Sequence, residues 1–221
     1  MYFLIPLCLA IAAVFLYAEI HEKYVPAVIL KGLASLCFVF LGILLSPGTP
    51  MAKLIVVGLI LGCAADVLLN LRYLFPKHGQ KVFLVGILVF LSGHIVYLSA
   101  VIPLGSHLVI ALAAGVVLTA LLMMWIFKKI TAELAFKIFG VVYLGAIMLL
   151  NCVAIANLIE RPMTFTALFA AGAVLFLVSD IVLILNTFGK ETKQSLRICN
   201  IMLYYIGQLL IALSLHFAGN I

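Results

Sequence analysis

The chain has 221 residues, 67% of them hydrophobic and 9% charged, with a mean hydropathy of +1.39. A soluble globular domain has an apolar share nearer half, so this composition excludes one and leaves a polytopic membrane protein. The net charge of +6 would suggest nucleic acid in a soluble protein, but here the basic residues sit in short connections between apolar runs, where they act as topology determinants, and no nucleic-acid partner is expected.

A membrane-spanning helix needs about 20 mostly apolar residues, and eight runs qualify, which predicts an all-α membrane protein of eight transmembrane helices. The first, Tyr2 to Ala18, is followed by Glu19 and lacks both a basic leader and an A-x-A-like cleavage site, so it is expected to be a retained helix rather than a signal peptide. Ala27 to Leu45 contains Lys31. Leu54 to Leu71 carries Gly58, Gly62, Asp66 and Asn70 at four-residue spacing, one small and polar stripe on a helix. Phe83 to Val101 carries His94 and Tyr97, Leu108 to Phe127 has no candidate, and Ile138 to Leu158 carries Tyr143 and Asn151. Phe165 to Leu185 places Asp180 within F-L-V-S-D-I-V-L-I-L-N, and Ile201 to Phe217 carries Tyr204, Tyr205 and Gln208 just after Asn200. Pro26, Pro47, Pro50, Pro76, Pro103 and Pro162 fall between spans or at their ends, as helix breakers should. With no long linker, residues 1–221 read as a single integral membrane domain.

Ten Lys and Arg residues (Lys23, Arg72, Lys77, Lys81, Lys128, Lys129, Lys137, Lys190, Lys193 and Arg197) fall on one side of the predicted bundle and two, Lys53 and Arg161, on the other. That bias predicts that the odd-to-even loops are cytoplasmic and both termini non-cytoplasmic. A shift of 114 residues aligns Glu19 with Glu133, Lys23 with Lys137, Gly58 with Gly172, Asp66 with Asp180, Gly93 with Gly207 and His94 with Gln208. Two parallel four-helix repeats, approximately 1–105 and 106–221, would be related by an axis along the membrane normal. The short flanks favour a bacterial inner membrane over the endoplasmic reticulum. Cys8, Cys37, Cys63, Cys152 and Cys199 match no metal or redox spacing and are expected to be packing residues.

A charge in hydrocarbon costs at least about 2.5 kcal/mol unless it faces protein, water or a partner, so intramembrane ionisable residues mark candidate sites. Counted from span centres at 1.5 Å per residue, Asp66 lies roughly 5 Å, and Asp180, Lys31, Tyr143 and Tyr204 roughly 7 to 8 Å, to the cytoplasmic side of the midplane. They come from five helices, and one polar cavity opening toward the cytoplasmic leaflet would satisfy them all. Each has a plainer alternative: Lys31 could snorkel, His94 could be an interhelical hydrogen bonder, and the tyrosines could be interfacial belt residues. An ion pair with Lys31 accounts for at most one of the two aspartates. Burial favours a neutral carboxyl and a nearby ammonium favours a charged one, so two carboxyls can divide into an acid and a base. Such a pair suits hydrolysis of an acid-labile C–O bond, as in glycosidases. No His and carboxylate cluster has metal-ligand spacing, and no metal or other cofactor is expected.

At these residues the sequence resembles the lysoplasmalogenase (YhhN-like) family of multi-pass membrane proteins. The resemblance rests on G-x-x-x-G-x-x-x-D-x-x-L (Gly58 to Leu69), S-G-H-I-V-Y (Ser92 to Tyr97), F-L-V-S-D-I-V-L (Phe176 to Leu183) and L-Y-Y-I-G-Q-L-L-I (Leu203 to Ile211), in that order. Departures are Ala65, where the family often has Gly, and Gly32, where it often has Pro. The resemblance implies hydrolysis of the vinyl ether of a lysoplasmalogen, a lysophospholipid drawn from the membrane, to a fatty aldehyde and a glycerophospho-choline or -ethanolamine. It implies Asp66 and Asp180 as the catalytic pair, in either assignment of acid and base. Lys31 would bind phosphate or tune an aspartate, while Asn70, His94, Tyr143, Tyr204 and Gln208 would orient substrate or water. A proton-coupled transporter of a lipid or small amphiphile shares the repeats and the acidic residues. An intramembrane aspartyl protease would require G-x-G-D where this chain reads C-A-A-D.

Overall fold

A computed structural model of the protein describes residues 1–75 and 77–220. Pro76, expected between the third and fourth spans, lies outside them. The described residues form eight α-helices: α1 (Leu4–Ile20), α2 (Tyr24–Leu45), α3 (Pro50–Leu71), α4 (Gly79–Val101), α5 (Leu108–Phe127), α6 (Leu134–Glu160), α7 (Thr164–Phe188) and α8 (Gln194–Ser214). No strand forms among them. Helices α2 to α8 are each long and apolar enough to cross a membrane. Helix α1, with 17 residues, rises about 26 Å at 1.5 Å per residue, near the lower end of what spans a bilayer.

Every helix coincides with an expected apolar run, but several extend beyond it. Hydropathy stops at the first charge, whereas the backbone hydrogen-bond ladder does not. Thus α6 begins at Leu134 and includes Lys137, and α8 begins at Gln194 and includes Arg197. Arg197, assigned above to a loop, is therefore a helical residue. Residues Leu215–Asn220 follow α8 as a 3-10 helix rather than continuing it. At the start of α3, Pro50 occupies the first helical position and the Thr49 hydroxyl accepts a bond from the Ala52 N–H at 3.3 Å, which satisfies a donor with no partner inside the helix.

Sequential helices pack as neighbours from α1 to α4 and from α5 to α8. Helix α8 returns against α1, α2 and α3, and α4 meets α6, so the contacts close into a ring with α5 outside it on α6. Polarity is inverted relative to a soluble protein. Val109 is 81% exposed and Ile159 77%, while Asp66, Lys31 and Asp180 are buried. Such an exterior suits lipid, and the interior must satisfy its own polar groups.

The most extensive contacts join α3 to α4 and α7 to α8, and both crossings use glycine against glycine. A Cβ on Gly93 would stand 3.4 Å from the Gly58 carbonyl oxygen, and one on Gly207 would stand 2.8 Å from that of Gly172. Without side chains between them the backbones approach closely, the source of packing where no hydrophobic effect drives helices together. Gly207→Ala should therefore lower the melting temperature in detergent, because the obstacle is backbone. Gly140→Ala, whose methyl would meet only Met123 Cε at 4.0 Å, should leave it unchanged, and equal effects would refute the close-approach account.

Candidate active site

Helical spacing of four places Lys31 and Ser35 one turn apart on α2, and Asp66 and Asn70 one turn apart on α3. These two faces meet. Lys31 Nζ lies 3.3 Å from Asp66 Oδ1 and donates to Asn70 Oδ1 at 3.2 Å. Ser35 Oγ donates to Asp66 Oδ2 at 2.6 Å, and from α8 the Tyr204 hydroxyl donates to the same oxygen at 2.5 Å. Lys31 also lies 5.5 Å from the centroid of the Phe15 ring on α1. It is 4% exposed and Asp66 1%, so Lys31 does not snorkel. A buried ion pair offsets its desolvation only when the remaining lone pairs are hydrogen-bonded, and here hydroxyls cover the second carboxylate oxygen.

Asp180 is held differently. The Tyr143 hydroxyl on α6 donates to its Oδ2 at 2.6 Å, and among the described residues no Lys, Arg or His lies within salt-bridge distance. Two carboxyls in the same interior thus have contrasting partners: an ammonium and two hydroxyls for one, a single phenol for the other. Neither Tyr143 nor Tyr204 is an interfacial belt residue, since both are buried.

Asp66 and Asp180 line one small central chamber of about 40 Å³, together with Lys31, Asn70 and Tyr204. Two larger spaces adjoin it through shared walls. Leu69, Phe83, Phe90, Asp180 and Leu183 also line an apolar groove of about 70 Å³ that runs between α4, α6 and α7 past Phe136, Phe139 and Tyr143. Arg72, Leu183, Arg197 and Asn200 also line a charged vestibule of about 460 Å³ at the end of the bundle that carries the basic loops. From groove to vestibule the surroundings pass from aromatic, through two carboxyls, to arginine.

Two of the expected substrate-binding residues stand back from these walls. His94 is buried, with Nδ1 2.8 Å from the Phe90 carbonyl of its own helix and its ring edge-on to Phe176 at 4.5 Å. Gln208 accepts from the Tyr97 hydroxyl at 3.1 Å, and its amide nitrogen faces Gly62. Both support the rings around the chamber rather than line it. Asn151 bonds its amide nitrogen to the Ile147 carbonyl at 2.9 Å, also within its own helix.

Other partners were not singled out from sequence. Ser35 carries a signal that periodicity could have found, its position one turn beyond Lys31. Glu19 and Arg197 form a two-pronged ion pair, with Nη2 to Oε1 at 2.7 Å and Nε to Oε2 at 2.8 Å, across 178 residues of chain. No local pattern could reveal that pair. Among the described residues, no group of three or more His, Cys, Asp or Glu converges as a metal-ligand set.

Removing one partner of a buried pair leaves the other uncompensated, typically at a cost of about 3–5 kcal/mol. Lys31→Met should therefore lower the melting temperature in detergent. Lys31→Met combined with Asp66→Asn should recover much of the loss, because the amide oxygen still accepts from Ser35 and Tyr204. A double variant no more stable than Lys31→Met would refute the pairing.

The sequence model of the YhhN family matches residues 26–215, from the first turn of α2 to the first residue of the turn after α8, and so includes all of the chamber residues named above. No solved structure matches the chain.

Proposed function

The chain belongs to the YhhN family, a family containing lysoplasmalogenases, and from that premise we propose that it hydrolyses the vinyl ether of a lysoplasmalogen, releasing a fatty aldehyde and a glycerophospho-headgroup. The observation that carries this reading is the sharing of one chamber by Asp66 and Asp180, between an apolar groove and a charged vestibule. A single-tailed phospholipid has the same order of parts: alkyl chain, ether, headgroup.

The contrasting partners of the two carboxyls suggest their roles. Asp180, with no cation beside it, is the proton donor, and Tyr143 orients it. Its proton goes to the β carbon of the vinyl ether, the double bond supplying the electron pair, and the ether oxygen lends a lone pair to form an oxocarbenium ion. Asp66, facing the chamber as the charged partner of Lys31, stabilises that cation. Water adds to the α carbon and gives its proton back to Asp180. The resulting hemiacetal breaks its bond to the glycerol oxygen, its hydroxyl proton passing to that oxygen, and leaves the aldehyde. General acid–base catalysis of this kind contributes about 10²–10⁴-fold.

The same reading extends to architecture. The duplicated glycine crossings and the equivalent aspartates support two tandem four-helix units within one domain, and the basic-loop bias supports placing the vestibule on the cytoplasmic side with both termini opposite.

Purified protein incubated with a 1-alkenyl lysophospholipid should release aldehyde, and the 1-acyl analogue should yield none. Absence of aldehyde, together with counterflow of labelled lysolipid, would replace this reading with that of a proton-coupled carrier. Asp180→Asn and Asp66→Asn should each lower aldehyde release about 10²-fold or more, and a folded variant with undiminished release would remove its residue from the chemistry. Tyr143→Phe should retain more activity than Asp180→Asn, because it loses orientation and keeps the acid.

A further inference from the structure

Arg72 stands just beyond α3, in a 3-10 turn, where the sequence suggests a topology-setting charge. Its guanidinium carbon lies 4.5 Å from the centroid of the Phe83 ring and 4.7 Å from that of Tyr73, and Nη2 donates to the Tyr73 hydroxyl at 2.6 Å. Tyr73 in turn stacks on Tyr24 with centroids 5.0 Å apart. Rings thus hold the guanidinium in place, yet its charge is unmatched. Among the described residues no carboxylate lies within salt-bridge distance. Of the acids around the vestibule, Glu19 gives both oxygens to Arg197, and Glu22 is exposed.

Two buried nitrogen donors on this wall have no hydrogen-bond partner among the described residues: Arg72 Nε and Asn70 Nδ2. Both residues line the central chamber, and Arg72 also lines the vestibule. A buried donor left unsatisfied costs about 1–3 kcal/mol, more when charged, so a site retaining two of them on one wall is complementary to a ligand bringing acceptor oxygens. The unmatched cation adds the requirement of negative charge. Arginine presents a planar fork suited to phosphate, whereas the Lys31 ammonium is engaged by Asp66 and Asn70.

We infer that Arg72, with Asn70 beside it, forms the subsite for the phosphodiester of the lysophospholipid, holding the headgroup at the seam between chamber and vestibule. This inference rests on the hydrolase reading for the identity of the lipid but not for the chemistry of the anion. Placing the phosphate there directs the glycerol inward, toward the two aspartates, and the tail onward into the apolar groove. Arg72 is therefore a determinant of specificity for phospholipids over neutral glycerolipids with the same tail.

The test measures binding to purified full-length protein in non-ionic detergent with three probes: a 1-acyl lysophosphatidylcholine, which has no vinyl ether to cleave, a monoacylglycerol with the same tail, and inorganic phosphate. Arg72→Gln should weaken lysophosphatidylcholine binding at least tenfold and leave monoacylglycerol binding unchanged, and Arg72→Lys should recover part of the loss. Equal binding by Arg72→Gln and the parent protein, or equal loss for both lipids, would overturn the inference. So would inorganic phosphate binding as tightly as the lysolipid, which would indicate a soluble phosphoryl ligand. Aldehyde release is scored separately on a 1-alkenyl lysophospholipid. Arg72-dependent binding without aldehyde would retain the subsite and refute the hydrolase, whereas aldehyde release by Arg72→Gln with an unchanged KM would do the reverse.

Discussion

A lysine and an aspartate meeting inside a membrane protein, at 3.3 Å and almost wholly out of contact with solvent, set the terms for the surrounding structure. Neither charge is tolerable in hydrocarbon alone, and together they remain costly unless their other hydrogen-bonding positions are filled. Three helices supply what is needed: α2 brings Lys31 and Ser35, α3 brings Asp66 and Asn70, and α8 brings Tyr204. That requirement draws α8 back across the bundle to the first three helices and closes the ring. The Glu19 and Arg197 pair secures α8 to α1 nearer the vestibule in the same manner.

Close packing elsewhere makes the chamber possible. At the α3–α4 and α7–α8 crossings, glycines bring backbones together. Each crossing lies within the same two helices that carry an aspartate and its neighbours: Gly58 is two turns before Asp66, and Gly172 two turns before Asp180. A helix fixed at its glycine also fixes the direction in which the residue eight positions later points. The aspartates therefore gain their inward orientation from contacts made two turns away along the same helices.

The three adjoining spaces differ in polarity because different helices line each of them. Aromatic and aliphatic side chains wall the groove, two carboxyls face the chamber, and the vestibule carries Arg72, Lys193 and Arg197 beside Glu19 and Glu22. The contrast between the two aspartates follows from their surroundings and not from their local sequence, since both sit in apolar helices followed by a branched residue. One acquires a lysine from α2 and the other a tyrosine from α6.

The number of helices and their approximate limits were legible from the residues alone because a bilayer imposes a length and a polarity that few other environments demand, although seven of the eight, without α1, are long enough to be span candidates. The aspartates were legible for the same reason, a charge in such a run being too costly to be incidental. The convergence of Lys31, Asp66, Asp180 and Tyr204 on one cavity could be anticipated from their similar depths. Helix ends were less so, because a transfer scale stops at Arg197 or Lys137 while the hydrogen-bond ladder continues. Partner choice was not legible at all. Whether Lys31 turns to Asp66 or to Asp180, whether His94 faces the chamber or its own backbone, and which rings flank Arg72 all depend on the rotation of each helix about its axis. That rotation is settled by contacts between residues far apart in the chain, and only the packed tertiary structure contains them.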